Sequence, residues 1–211
     1  MAEGSEAGEA QGTASGSSAF KTNITQDELN LLPLRAYSGK VQVVTDPKYF
    51  PKIAAEIRKH KVVGFDTETR PSFKKGQIYK LALVQLAIPG KVFLIRTHHA
   101  ALDEHIVSLF EDDQILKAGV AIRDDIKALQ TLATFIPRSF IELATLARQV
   151  GLEVESVKKL AALILGFRIS KSAQTSNWEA PTLTEKQIEY AATDAWVCLE
   201  LYEKISRLPG K

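Results

Sequence analysis

An apolar run that ends in two carboxylates constrains this chain more than any other feature. Residues 62–65 are Val-Val-Gly-Phe, which is typical of a buried strand, and Asp66 and Glu68 follow with one residue between them. Because side chains alternate along a strand, the two acids share one face at the edge of the sheet. Like charges held this close favour a bound cation. Two solvated acids in a turn would give the same pattern, so the motif alone leaves both interpretations open.

The composition restricts the class of protein. The chain has 211 residues with 27 Lys and Arg against 25 Asp and Glu, so its overall charge does not indicate a nucleic-acid binder, although a local groove could be basic. The single cysteine, Cys198, excludes an internal disulfide framework and fits a reducing cytosol. No apolar run approaches the roughly 20 residues that span a bilayer, and the N-terminus lacks the pattern of a secretory signal. We expect a soluble cytoplasmic protein without a membrane partner.

The order of predicted elements indicates the fold class. Residues 1–19 are mostly Gly, Ala, Ser and Glu and are predicted to be a disordered, low-complexity tail. Residues 20–208 are predicted to form one domain. Strands with one hairpin at Pro89-Gly90 come first, and helices with one return strand follow. This order predicts an α/β domain with a central mixed sheet flanked by helices.

The last helix carries an acid on its apolar side. A capping box at residues 184–187 starts a helix that is predicted to run from residue 185 to about residue 205. At about 100° per residue, Asp194 points away from the polar face and lies among apolar side chains. Its burial costs several kcal/mol unless a partner or a cation compensates the charge. Tyr190 lies one turn earlier, so its hydroxyl and this carboxylate project side by side, and a structural Tyr–Asp pair is the alternative.

The helix predicted over residues 123–133 contains two adjacent acids. Ile126 and Leu129 lie on its apolar stripe. By the same angular count, Asp125 is at the edge of that stripe and Asp124 faces nearly opposite, toward water. Asp125 is therefore the candidate ligand, and Asp124 supports the helix N-terminus electrostatically.

Three stretches resemble the motifs of the DEDDy superfamily of 3′–5′ exonucleases. They are Phe65–Glu68, Gly119–Asp125 and Tyr190–Asp194, in that order. Lys80–Leu86 and Ser176–Trp178 match the supporting stretches. The chain is most similar to the Werner-syndrome-type exonuclease domain and next to bacterial ribonuclease D, over about residues 41–205. The resemblance implies a ribonuclease H-like fold.

The same resemblance implies a site and a reaction. Four acids would bind metal and Tyr190 would hold the attacking water; the acids are Asp66, Glu68, Asp125 and Asp194. The implied cofactors are two ions of Mg²⁺ or Mn²⁺, which hard oxygen ligands suit, and the sequence has no His/Cys cluster for zinc. Two such ions fit the hydrolysis of a phosphodiester at the 3′ end of DNA or RNA, with release of 5′-mononucleotides.

Candidate substrate contacts follow the first motif. Thr67 could offer its backbone amide, Arg70, Lys74 and Lys75 could meet phosphates, and Phe73 could stack on a terminal base. A solvated loop with one anchoring aromatic residue is the alternative.

Three other functions compete with the leading one. A ribonuclease D-like enzyme that trims RNA 3′ ends would use the same acids. A non-catalytic nucleic-acid-binding module would typically have lost one of the acids or the tyrosine, and all five positions are filled. A glycosidase-type acid pair is disfavoured because four acids favour a cation over the division of labour that sugar hydrolysis requires.

Overall fold

The computed structural model describes residues 21–74, 76–77 and 79–209. The predicted tail at residues 1–19 and the candidate contact Lys75 lie outside the described residues.

Strands within the described residues form a mixed six-stranded sheet. Their bounds are β1 Lys40–Val44, β2 Val62–Thr69, β3 Leu81–Ile88, β4 Lys91–Arg96, β5 Leu116–Gly119 and β6 Phe140–Glu142. Their order in the sheet is β1-β4-β3-β2-β5-β6. β3 is antiparallel to both β2 and β4, and the other neighbours are parallel. The predicted central mixed sheet is confirmed.

Helices cover both faces of this sheet. Their bounds are α1 Gln26–Leu31, α2 Phe50–Ile57, α3 Glu104–Glu111, α4 Ile122–Leu132, α5 Leu143–Gln149, α6 Val157–Leu160 and α7 Glu185–Ile205. A 3₁₀ turn precedes α2 and a π-helical turn follows α6. On one face α2, α3 and α4 pack around Phe65 and Phe110, and on the other α7 packs against β3 and β4 around Trp178. No helix in the described part of the chain has the length and apolarity needed to cross a bilayer.

The bounds of α7 are those that the capping box predicts. The Thr184 hydroxyl accepts a hydrogen bond from the Gln187 amide, and the Gln187 side chain accepts one from the Thr184 amide. Two of the backbone donors at the helix N-terminus are thereby satisfied. The first residue of α7 is consequently fixed, and with it the turn on which Tyr190 and Asp194 lie.

β2 is longer than the sequence predicts, because it continues through the acids to Thr69. Asp66 pairs with Gln85 and Glu68 with Leu83 on β3. The pairing of β2 with β5 covers residues 62–64 only. The acids therefore lie inside a central strand, but on the part of it that has a neighbour on one side only, where solvent and a ligand have access.

Gly64 permits the close crossing of α7 over β2. A Cβ atom at Gly64 would lie 1.9 Å from the carbonyl oxygen of Ala195 and 2.8 Å from the amide nitrogen of Leu199. These neighbours are helix backbone, which cannot give way as a flexible side chain does. The absence of a side chain on β2 thus sets the distance between this strand and α7, which carry Asp66 and Asp194.

Candidate active site

Three of the predicted acids converge at the crossing of β2 and α7. Asp66, Glu68 and Asp194 each offer a carboxylate oxygen, and these oxygens lie within 4.8 Å of one another. Asp66 and Glu68 project from the same face of β2 because they are two residues apart. Asp194 is 5% exposed, and the two strand acids are half-buried. The chain thus gathers three carboxylates in one place from two separate elements.

Burial and mutual repulsion make these carboxylates hard to ionise. Burial raises the pKa of Glu68 to about 9, and the charges of Asp194 and Asp125 contribute. Burial, followed by the charges of Asp194 and Glu68, raises the pKa of Asp66 well above its usual range. Burial also raises the pKa of Asp194, against the lowering effects of the Tyr190 hydroxyl and Lys158. Such a cluster holds protons at neutral pH unless a cation replaces them.

The donor set fits a hard divalent cation. Carboxylate oxygens are the ligands that Mg²⁺ and Mn²⁺ prefer, whereas structural zinc sites use Cys and His. In the described ranges, the three-acid group is the only convergence of three or more potential Cys, His, Asp or Glu ligands. The residues present therefore fit the metal that the sequence implies.

Asp125 lies near this group but outside it. It is in the first turn of α4, half-buried, and its carboxylate accepts a hydrogen bond from the Thr67 hydroxyl. Burial raises the pKa of Asp125, and the Thr67 hydrogen bond opposes this effect. Its charge also raises the pKa values of Asp66 and Glu68, as expected of a near neighbour. Asp124 has an 88% exposed side chain paired with Lys127, so the adjacent acids face opposite ways.

Glu142 positions the helix that carries Asp125, a role that no pattern in the sequence indicates. Its carboxylate accepts hydrogen bonds from the amide of Ile122 at 3.1 Å and from the amide of Ala144 at 3.1 Å. One side chain therefore caps both α4 and α5. α4 needs this cap because Ala121, in the left-handed conformation at φ 59°, provides no side-chain cap of its own. Only the parallel pairing of β5 with β6 brings Glu142 to this position.

Tyr190 lies beside Asp194, as their spacing on α7 predicts. The residue is 7% exposed, and its ring packs against Trp178 with centroids 6.0 Å apart. Burial raises the pKa of Tyr190 above its ordinary range, and the charges of Asp194 and Glu68 raise it further. The hydroxyl therefore stays protonated at neutral pH next to the carboxylates. Trp178 is fully buried, which makes it a core residue that supports Tyr190.

Three of the candidate substrate contacts line a pocket of their own. Arg70, Phe73 and Lys74 line a pocket of about 380 Å³ that none of the three converging acids lines. The Arg70 guanidinium stacks over the Tyr79 ring at 4.6 Å and pairs with Glu179 at 3.4 Å, so it is already engaged. Phe73 is 83% exposed.

Lys158 is a second residue whose place beside the acids is not apparent from the sequence. It lies on α6, half-buried, and its charge lowers the pKa values of both Asp194 and Glu68. The helix is only four residues long, and no motif in the sequence indicates that it lies beside the acids. The acid site therefore has a cation on one flank.

The chain belongs to the 3′–5′ exonuclease family, whose model matches residues 41–208. Among curated relatives, the bifunctional 3′–5′ exonuclease/ATP-dependent helicase WRN of Mus musculus is 35% identical over 153 residues, covering 70% of this chain and 11% of the relative. Exonuclease 3′–5′ domain-containing protein 2 of Drosophila melanogaster is 33% identical over 160 residues, covering 72% of this chain and 27% of the relative. The chain thus spans about a quarter or less of the length of these two relatives.

Solved structures have the same fold. The EXO domain of Aedes aegypti Nibbler superposes with a TM-score of 0.70 at 26% identity, covering 83% of this chain and 91% of that one. Escherichia coli RNase D superposes with a TM-score of 0.73 at 23% identity, covering 79% of this chain and 44% of that one, a likeness of fold alone. The predicted ribonuclease H-like fold and the resemblance to 3′–5′ exonuclease domains are confirmed.

Proposed function

We propose that this chain is a metal-dependent 3′–5′ exonuclease of the DEDDy type. It hydrolyses phosphodiesters at a free 3′ end of DNA or RNA and releases 5′-mononucleotides. The observation that carries the proposal is the convergence of Asp66, Glu68 and Asp194 within 4.8 Å in a chain of the 3′–5′ exonuclease family. A structural role explains this group poorly, because three half-buried or buried acids repel one another.

The carboxylates are the proposed metal ligands. Asp66, Glu68 and Asp194, joined by Asp125 from α4, would hold two ions of Mg²⁺ or Mn²⁺. Bound there, the ions would supply a hydroxide nucleophile at neutral pH and neutralise the charge that develops on the phosphate and on the leaving 3′ oxygen. The raised pKa values support this role, since bound cations would offset the burial and the repulsion that raise them.

Tyr190 is the proposed positioning group for the attacking water. Its hydroxyl stays neutral, so it can donate one hydrogen bond and accept another beside Asp194. Packing of its ring against Trp178 fixes the direction of the hydroxyl. The water would lie between this hydroxyl and the carboxylates.

Residues 20–208 are proposed to be a single exonuclease domain, which the extent of the family match supports. The cytoplasmic location stays a prediction that rests on the single, buried cysteine.

A degradation assay on matched strands tests the proposal. Single-stranded DNA and RNA of one sequence, labelled at the 5′ end, are incubated with Mg²⁺, Mn²⁺ or a chelator. We expect a ladder that shortens from the 3′ end with either ion, mononucleotide products, and no cleavage with the chelator. Degradation of the RNA alone would identify a ribonuclease D-like trimming enzyme.

Two neighbouring acids provide matched variants for this assay. Asp125→Asn should lose most of the activity, whereas Asp124→Asn, which changes an exposed acid of the same helix turn, should keep it. Intact strands with both ions, or undiminished cleavage by Asp66→Asn, would overturn the proposal.

A further inference from the structure

A cleft lined by three lysines opens beside the acid group. Its volume is about 270 Å³, and it lies between α1, α6 and the segment that precedes α7. Lys158 and Lys159 from α6 and Lys171 from that segment line it, and Tyr190 forms part of its wall. Because Tyr190 also adjoins Asp194, the cleft reaches the candidate active site.

The acids that act on this cleft belong to the candidate active site, since the charges of Asp194 and Glu68 act to raise the pKa of Lys158. Within the part of the chain that the structure describes, none of the three lysines forms an ion pair, and no acid lines the cleft. Lys159 makes one long contact, at 3.5 Å, with the side-chain oxygen of Asn23. Burial and then the charge of Lys171 lower the pKa of Lys158, so these two ammonium groups share one electrostatic environment. Three cations gathered in this way favour a ligand with more than one negative charge.

The Arg70 pocket is the other basic candidate surface, and part of its charge is already paired. Arg70 already pairs with Glu179 and stacks on Tyr79. The Arg70 pocket therefore offers an anion less uncompensated charge than the lysine cleft does.

We propose that the lysine cleft binds the phosphate backbone of a single strand whose 3′ end lies at the acids, with Lys158 and Lys171 as the main phosphate contacts. This inference rests on the proposed exonuclease function and adds where the strand lies. The volume is just below the range of small-ligand sites, about 300–1,000 Å³, so the cleft has room for about one nucleotide of the strand. Backbone contacts of this kind carry no sequence information, so the enzyme should degrade strands of any sequence.

Binding under varied salt tests this inference separately from catalysis. The probes are fluorescent single-stranded DNA and RNA, bound to Asp66→Asn protein so that the strand stays intact. Each phosphate contact contributes about −0.7 to the slope of log K against log salt for a single strand. The double substitution Lys158→Gln/Lys171→Gln should reduce this slope by about 1.4 and weaken binding by about ten-fold or more at low salt.

The control must remove the same charge from another surface. Lys59→Gln/Lys186→Gln changes two exposed lysines that do not line the cleft, and it should leave the slope and the affinity unchanged. Melting curves confirm that both double variants are folded. An equal loss in both would show a non-specific charge effect and overturn the inference, as would an unchanged slope in Lys158→Gln/Lys171→Gln.

The two proposals can fail independently. If the wild-type chain degrades strands but the slope does not depend on Lys158 and Lys171, the exonuclease proposal stands and the strand path is wrong. If the slope depends on them but no strand is degraded with either ion, the cleft binds nucleic acid and the exonuclease proposal is wrong.

Discussion

The Thr67 hydroxyl donates a hydrogen bond to the Asp125 carboxylate, and this contact joins β2 to the first turn of α4. Asp66 and Glu68 flank Thr67 and face the opposite side of the strand, toward Asp194. Residues 66–68 of β2 thus present Asp66 and Glu68 to α7 and hold Asp125 nearby through Thr67. This hydrogen bond links the strand that carries Asp66 and Glu68 to the remaining predicted ligand, Asp125.

Thr67→Val should weaken both the fold and the reaction, because valine keeps the shape but cannot donate. We expect a loss of about 1 kcal/mol in the free energy of unfolding. Turnover should fall several-fold, since Asp125 is no longer held beside the acids. Urea unfolding and initial rates measure the two effects. Thr67→Ser keeps the hydroxyl and is the matched control; equal rates in Thr67→Val and wild type would show that the contact has no role in activity.

Gly64→Ala should disrupt the crossing of β2 and α7. The added Cβ would lie 1.9 Å from the Ala195 carbonyl oxygen, so α7 must move and Asp194 with it. We expect a loss in the free energy of unfolding at or above the upper end of overpacking costs, about 3 kcal/mol, together with loss of activity.

Gly90→Ala is the comparison for this substitution. Gly90 has φ 77° and open space around its Cβ position, so alanine there should cost only the left-handed conformation, about 1–2 kcal/mol. Gly64→Ala protein as stable and active as Gly90→Ala protein would contradict the account of the crossing.

Tyr190→Phe should slow catalysis without disturbing substrate binding. The ring and its packing on Trp178 remain, and only the hydroxyl beside Asp194 is lost. Loss of a group that positions or polarises the attacking water lowers kcat by about 10²-fold or more, within the range for acid–base groups, with little change in KM. Single-turnover rates and KM on a short strand separate these effects. A rise in KM with unchanged kcat would assign Tyr190 to binding instead.

Lys117 should make stability depend on pH. It is 1% exposed, its Nζ donates to the carbonyl oxygen of Asp112 at 2.8 Å, and burial lowers its pKa from 10.5 to about 8. Between pH 8 and pH 10.5 Lys117 is protonated in the unfolded chain and neutral in the folded chain. The free energy of unfolding therefore rises with pH over this range. Below pH 8 both states carry the proton and the full burial penalty is present.

Lys117→Met removes the cost of burying the ammonium group and fills the same space. It should raise the free energy of unfolding at pH 7 by roughly 1–3 kcal/mol. The advantage over wild type should shrink as the pH rises from 8 toward 10.5. Urea unfolding of both proteins at several pH values measures the difference. A constant difference over that range would contradict the pKa assignment.

The sequence predicts the features that depend on contacts within one or two helical turns. The capping box at Thr184 gives the start of α7, because it satisfies backbone donors within one turn. The angular count along the helix also predicted that Asp125 lies at the edge of the apolar stripe and Asp124 faces water, since burial on a helix follows its 3.6-residue period.

Features that depend on distant neighbours could not be predicted in this way. β2 continues past Asp66 because β3 pairs with it, and no local signal reports that partner. The positions of Lys158 and Glu142 are set by packing and by parallel pairing across many residues. Lys117 is charged, and only the assembled sheet shows that it is buried.

Anomalous diffraction from crystals soaked in Mn²⁺ shows directly whether the three-acid group binds metal. Data collected at the manganese absorption edge locate the ions without reference to activity. We expect peaks at coordination distance, about 2.0–2.6 Å, from carboxylate oxygens of Asp66, Glu68 and Asp194. Two such ions should lie about 3.5–4 Å apart. No peak among these three residues at saturating Mn²⁺, or peaks only elsewhere on the protein, would contradict the assignment of this group as the metal site.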